Sequence, residues 1–122
     1  ENEQRALRQG TVNVVRGLLS VLDHVDLALE QDPEQVTPEQ LLHGVEMVRG
    51  ELAKLLDIHE VRVLDPEPES EFDPALHHAV MREHTDRQLP NTIVAVLQTG
   101  YALDDYILRP ATVTVAAPPE DA

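Results

Sequence analysis

The sequence predicts an α+β protein in which a long paired helix and a helical hairpin form a dimeric four-helix bundle, followed by a small all-β head domain. Three observations carry that prediction. Residues 1–31 contain no proline and repeat apolar side chains at helical spacing. A second helical stripe follows a capping signal at Thr37. Beyond Asp57 the periodicity changes from helical to alternating, and Pro, Gly and Asp punctuate short β-rich runs. The expected domains are residues 1–60 for dimerisation, 61–117 for the head and 118–122 for a disordered tail.

The first helix is expected from Glu1 to Gln31, closed by Asp32-Pro33, with its apolar residues at Leu7, Val14, Leu18, Leu22, Val25 and Leu29. With the polar Thr11 admitted, the seam steps by four, three and four. That is an 11-residue period of roughly 3.67 residues per turn, which favours a nearly straight or slightly right-handed pairing. An amphipathic helix lying on its own domain gives the same spacing, but length decides against it. A helix of about 30 residues is roughly 45 Å long, more than a domain of the remaining chain covers, so it needs a partner helix.

Thr37-Pro38-Glu39-Gln40 then offers an N-cap, a proline suited to the first helical position and the glutamine of a capping box. The second helix carries Leu41, Val45, Val48, Leu52 and Leu55 in a 4-3-4-3 bundle seam, widened by Leu42 and Leu56. Two helices alone cannot enclose such faces, whereas two hairpins from a dimer make a four-helix bundle that does. Both seams are therefore assigned to dimerisation.

Val61 to Leu64 is a short strand candidate, and Asp65-Pro66-Glu67-Pro68-Glu69-Ser70-Glu71 is expected to be an extended, solvated connector. Further strands are expected at Thr92 to Gln98, Tyr106 to Arg109 and Ala111 to Ala116, with a break at Thr99-Gly100 and a turn at Asp104-Asp105. In the last strand Ala111, Val113 and Val115 alternate with Thr112, Thr114 and Ala116.

Composition narrows the function classes. At 122 residues the chain has room for one ordinary domain or a small domain with an extension, not for two large enzyme lobes. Nine basic against 23 acidic residues give a formal charge of −14, which repels a phosphate backbone or an anionic membrane, so neither nucleic acid nor membrane is an expected partner. With no cysteine there is no disulfide, thiolate metal site or thiol nucleophile, and a reducing, cytoplasmic location is the expectation. No apolar run approaches a membrane span, and Glu1 to Gln9 lack a signal-peptide core. Because the chain starts at Glu1 rather than Met, an upstream segment is expected.

Tests for chemistry return little. Glycines at 10, 17, 44, 50 and 100 cannot be arranged into a dinucleotide or phosphate loop, and Ser20 and Ser70 lie in no nucleophile elbow. His77, His78 and His84 with Glu83 and Asp86 form the one local metal-like cluster, but its spacing matches neither H-E-x-x-H nor a zinc-finger pair. Surface or packing histidines explain it better, and no metal or cofactor is expected. Paired carboxylates such as Asp104-Asp105 and Asp23 with Asp26 are uninformative in so acidic a chain. What remains is a helical dimerisation element joined to a β head without a catalytic constellation, the outline of a binding protein rather than an enzyme.

The head carries recognisable motifs. Phe72-Asp73-Pro74-Ala75-Leu76-His77-His78-Ala79-Val80 resembles the F-D-P-x-x-H-x-A-V segment of the GrpE family, nucleotide exchange factors of DnaK-type chaperones. Val96-Leu97-Gln98-Thr99-Gly100-Tyr101-Ala102-Leu103 and Ile107-Leu108-Arg109-Pro110-Ala111-Thr112-Val113-Thr114-Val115 resemble its V-L-Q-x-G-Y-x-L and L-R-P-A-x-V-x-V signatures. Weaker agreement, in order, comes from Leu18 to Asp23, Ala28-Leu29-Glu30, His43 to Val48 and Leu64-Asp65-Pro66. The resemblance implies a parallel homodimer, a co-chaperone of protein folding and the stress response. One of its heads enters the chaperone's ATPase cleft and helps wedge it open, lowering ADP affinity so that ATP replaces it. No bond is broken by such a protein itself.

Carried over residue by residue, the resemblance implies Glu30 at the end of the long helix, Gly44 on the bundle, and Leu97 and Val115 on the head as chaperone-facing. Core packing is the rival role for Leu97 and Val115, close helix packing for Gly44, and Arg109 is a candidate for bracing the head's own loops. The chain departs from the family where Leu27 and Tyr106 stand in place of frequent arginines; both remain partner-facing candidates through apolar area. It departs again at His59-Glu60, where the family has Phe-Gly. The lost arginines also motivate an alternative, a dimeric coiled-coil scaffold or adaptor whose head binds a different protein. A metal hydrolase built on His77, His78, His84 and Glu83 is a third reading.

Overall fold

The structure is a computed structural model that describes residues 2–120. The chain divides into two compact units, Glu1–His59 and Glu60–Ala122.

In the first unit α1 (Asn2–Leu29) and α2 (Pro38–Ile58) form a hairpin. The capping box at the start of α2 is complete. Thr37 Oγ1 accepts from the Gln40 amide at 3.1 Å, and Gln40 Oε1 accepts from the Thr37 amide at 3.0 Å. Between the helices, the Gln35 and Val36 amides both donate to the Asp32 carbonyl, and the Asp32 carboxylate accepts from the Glu34 amide at 3.0 Å. The helix expected to reach Gln31 thus ends at Leu29, because this turn captures the chain just before Pro33.

The hairpin does not pack through the seam that the spacing singles out. The covered stripe of α1 is Gly17, Val21 and Val25, and Val21 is its one buried residue. On α2 the half-buried positions are Gly44, Val48, Glu51 and Leu55. A β-carbon on Gly17 would collide with the Leu55 side chain, so the helices approach most closely there. One turn further along, His24 Nδ1 lies 2.8 Å from Glu51 Oε2. Of the expected seam, Val25, Val48 and Leu55 are half-buried, whereas Leu7, Val14, Leu18, Leu22, Leu29, Leu41, Val45 and Leu52 remain exposed.

Among its described residues the second unit contains six strands: β1 (Val61–Leu64), β2 (His77–His84), β3 (Ile93–Gln98), β4 (Gly100–Leu103), β5 (Tyr106–Arg109) and β6 (Ala111–Ala117). They form two three-stranded sheets, β1-β4-β5 and β2-β6-β3. The first is antiparallel throughout; in the second, β6 runs parallel to β2 and antiparallel to β3. Leu64 and Ala102 from one sheet and Ile93, Ala111, Val113 and Val115 from the other build the core, with Phe72, Leu76, Val96 and Ile107 packed against it.

Several expectations are corrected. The sequence reading left out β2 and took Thr99-Gly100 as a plain break where Gly100 opens β4. The acidic connector is pinned rather than extended: the Glu69 amide donates to the Ile93 carbonyl at 2.7 Å, and the Ile93 amide returns to the Ser70 carbonyl at 2.8 Å. The described part of the expected tail is held as well. His84 Nδ1 lies 2.8 Å from the Pro118 carbonyl oxygen and its Nε2 lies 3.3 Å from Glu120. Glu1, Asp121 and Ala122 lie outside the described residues.

Two substitutions follow from backbone geometry. Glu60, just past the C-cap of α2, has φ 64°, a left-handed conformation that glycine adopts freely. Glu60→Gly is expected to stabilise the protein by about 1 kcal/mol, read as a higher midpoint in thermal or urea unfolding. Conversely, a β-carbon on Gly100 would lie 2.6 Å from the Pro110 carbonyl carbon and 2.8 Å from the Arg109 oxygen, both backbone atoms that cannot step aside. Gly100→Ala should cost about 2 kcal/mol or more by the same measurement.

Candidate functional site

The motifs of the head are first of all architecture. In the Phe72 to His77 segment, Asp73 organises a turn: its carboxylate accepts from the Ala75 amide at 2.9 Å and its carbonyl from the Leu76 and His77 amides. The His77 ring closes the turn from the other side, with Nδ1 accepting from the Asp73 amide at 3.0 Å. An acceptor at Nδ1 leaves the proton on Nε2. Its ring also packs against Phe72 at 5.8 Å between centroids.

The second motif pair forms the corner where the chain changes sheet. It leaves β3 at Thr99 and enters β4; after β5 it passes Pro110 and enters β6. These crossings lie on each other. Arg109 Nε donates to the Thr99 carbonyl at 2.9 Å, and the Arg109 guanidinium sits 5.2 Å from the Tyr101 ring centroid. Arg109 therefore braces the head's own loops, and Gly100 makes the close approach sterically feasible.

The histidine cluster has no metal geometry. His77 is buried in its turn and His84 engages Pro118 and Glu120. Among the described residues no three His, Asp or Glu side chains are grouped as metal ligands would be. No helix among them is long and apolar enough to cross a membrane.

The surfaces are more informative. At the end of α1, Leu27 is 60% exposed and Glu30, in the following turn, is also exposed. Gly44 is half-buried on α2, yet a β-carbon there would meet nothing within 4 Å. Within the single hairpin the close helix approach is made at Gly17 and not at Gly44. On the head, Leu97 is 52% and Tyr106 70% exposed, whereas Val115 is 5% exposed on the central strand β6. Val115 is a core residue, a correction to the partner-facing role that the resemblance implied.

The register of the β1-β4-β5 sheet adds two residues that sequence reasoning missed. Val61, Leu103 and Tyr106 stand in one cross-strand row, and Val63, Tyr101 and Arg109 in the next. Ala102, between them on β4, is buried, so the sheet's other face carries these rows. Exposed Val63 and Leu103 thus enlarge the patch around Tyr106. Alternation did not mark them: in Val61-Arg62-Val63-Leu64 it puts Val63 rather than Arg62 on the core side, and β4 was not expected.

A family model described as GrpE matches residues 1–117. The chain belongs to the GrpE family. Among curated relatives named Protein GrpE, that of Aquifex aeolicus (strain VF5) is 38% identical over 104 residues, covering 85% of this chain and 57% of the relative. That of Acidovorax ebreus (strain TPSY) is 40% identical over 114 residues, covering 93% and 62%. That of Paracidovorax citrulli (strain AAC00-1) is 37% identical over 118 residues, covering 97% and 61%. The chain spans about three-fifths of the length of these relatives. Its match to the GrpE model includes both helices and all six strands.

Core and surface separate by experiment. Val115→Ala should lower stability by about 2 kcal/mol, since it removes buried methyl groups. Leu97→Ala should stay within about 0.5 kcal/mol in the same denaturant titration.

Proposed function

We propose that this chain is an adenine-nucleotide exchange factor, a co-chaperone that binds the ATPase domain of a DnaK-type chaperone and promotes ADP release. The observation that carries this is membership of the GrpE family along nearly the whole chain. The protein acts by binding and catalyses no bond cleavage. It works in the cytoplasm, without a cofactor, and uses neither nucleic acid nor membrane as a partner. Exchange then follows from differential affinity: a factor that binds the open ATPase cleft more tightly than the closed one loosens ADP by the same coupling free energy. A tenfold faster release at equal ADP association corresponds to about 1.4 kcal/mol of such preference.

The working unit is a homodimer. Leu7, Val14, Leu18, Leu22 and Leu29 on α1, with Leu41, Val45 and Leu52 on α2, face the second copy and complete a four-helix bundle, while Val25, Val48 and Leu55, expected in the same seam, pack within the hairpin. Exposure of most of this seam in the single chain supports that assignment. The chaperone-facing residues are Leu27, Glu30 and Gly44 on the helical unit and Leu97 and Tyr106 on the head. Their exposure supports the choice, as does the open space around Gly44.

Release of a fluorescent ADP analogue from the cognate chaperone, chased with excess ATP, tests this reading. Catalytic amounts of the dimer should accelerate release at least tenfold. Leu27→Ala and Tyr106→Ala should each reduce that several-fold, and Gly44→Asp should reduce it most, with sedimentation confirming that every variant stays dimeric. A folded dimer that leaves the release rate unchanged would refute exchange and favour a scaffold whose head binds another protein.

A further inference from the structure

Arg109 is placed and held in a way that its role as a brace does not exhaust. Across β4 and β5, Tyr101 pairs with Arg109, whereas the next residue, Ala102, pairs with Ile107. Leu108 is therefore one residue too many, a β-bulge in the edge strand β5. Strict alternation would put Tyr106 and Arg109, three residues apart, on opposite faces of the sheet. The bulge puts both on the face opposite buried Ala102: Tyr106 in the row of Val61 and Leu103, and Arg109 in the row of Val63 and Tyr101.

The guanidinium is fixed there by two ties. Nε donates to the Thr99 carbonyl at 2.9 Å, and Cζ lies 5.2 Å from the centroid of the Tyr101 ring. Neither tie uses Nη1 or Nη2. Among the described residues these nitrogens meet no hydrogen-bond acceptor and no carboxylate within ion-pair distance, although the chain has 23 acidic residues. Arg109 is exposed, so the free end of its fork faces water. Two parallel N–H donors in a plane match a carboxylate bidentately. The ordering entropy that usually cancels a surface ion pair is already spent on the Thr99 and Tyr101 ties. Exposed Val63, Leu103 and Tyr106 surround the site with apolar area, the setting in which an arginine contributes most to an interface.

We infer that Arg109 is a specificity-determining residue of exchange: its Nη pair takes a carboxylate of the chaperone's ATPase domain, while Nε and the Tyr101 ring hold the fork in place. The inference rests on the exchange reading and adds to it an ionic contact that neither Leu97 nor Tyr106 can make.

The full chain is titrated calorimetrically against the ATPase domain of its cognate chaperone at low and high salt. Arg109→Gln should weaken binding at least tenfold and flatten the salt dependence. Arg109→Lys keeps the charge without the fork and should weaken binding nearly as much. In a double-mutant cycle, the Asp and Glu residues bordering the chaperone's cleft are changed in turn to their amides. One of them should cost as much as Arg109→Gln and add little to it. A structural brace alone would show neither the salt effect nor that coupling. The unaltered protein supplies a second readout if Arg109→Gln disturbs the fold: in the complex the Arg109 Nη protons should shift downfield and exchange more slowly with water. Unchanged Nη signals overturn the inference, as does Arg109→Gln binding like the parent, or a cycle in which no carboxylate couples to Arg109. Parent protein that accelerates ADP release while Arg109→Gln does so equally removes this inference alone. Parent protein that neither binds the ATPase domain nor accelerates release removes the exchange reading and this inference with it.

Discussion

The helical unit carries more apolar surface than one hairpin can enclose, and most of what the molecule does depends on that mismatch. Covering one side of α1 requires a single neighbour, and α2 supplies it along Gly17, Val21 and Val25. The adjacent stripe of Leu7, Leu18 and Leu22, together with Val45 and Leu52 on α2, faces solvent in the single chain. Burying one such side chain is worth about 1.5–3 kcal/mol, so a row of them outweighs the modest intrinsic stability of a helix of this length. The contact of His24 with Glu51 between the helices lies at the surface and adds little by comparison. Apolar association is thus the force available to hold long helices straight, and the same excess surface makes partners possible.

The head solves a different problem. A chain of short strands must change sheets at Thr99 and again at Pro110 while keeping its core of Leu, Ile, Val and Ala closed. The Arg109 to Thr99 bond, the Arg109–Tyr101 contact and the missing side chain of Gly100 all belong to that one corner. The His77 turn does comparable work at the entrance to β2. Both motif regions are therefore anchored by what the head needs in order to fold. A resemblance carried by them reports architecture first, and function only through the company that architecture keeps.

This explains what could be read before the structure was in hand. Residues whose role is local were legible: Thr37 and Gln40 cap a helix wherever they fall in that spacing, Asp104 tolerates its φ of 52° at the β4–β5 turn, and the alternation in Ala111 to Ala116 marks a central strand. Residues whose role depends on distant neighbours were not. Strand β2 reads as polar because it is an edge, with only His77 buried, and edges need no alternating pattern. The acidic connector looked free because its carboxylates do repel, yet its backbone is fixed by main-chain bonds to Ile93 that no composition reveals. Val21 escaped notice because a helix with two apolar neighbours needs two stripes, and spacing alone singled out the wider one.

Partner-facing residues were the hardest to read, for a reason built into how a surface differs from a core. A core position is constrained by volume and by its neighbours in the same chain, so Val115 betrays itself once β6 is placed. An exposed position such as Leu27 or Tyr106 is free of that volume constraint, and within the fold almost any side chain would serve. Substitutions there change affinity and specificity while leaving the fold intact.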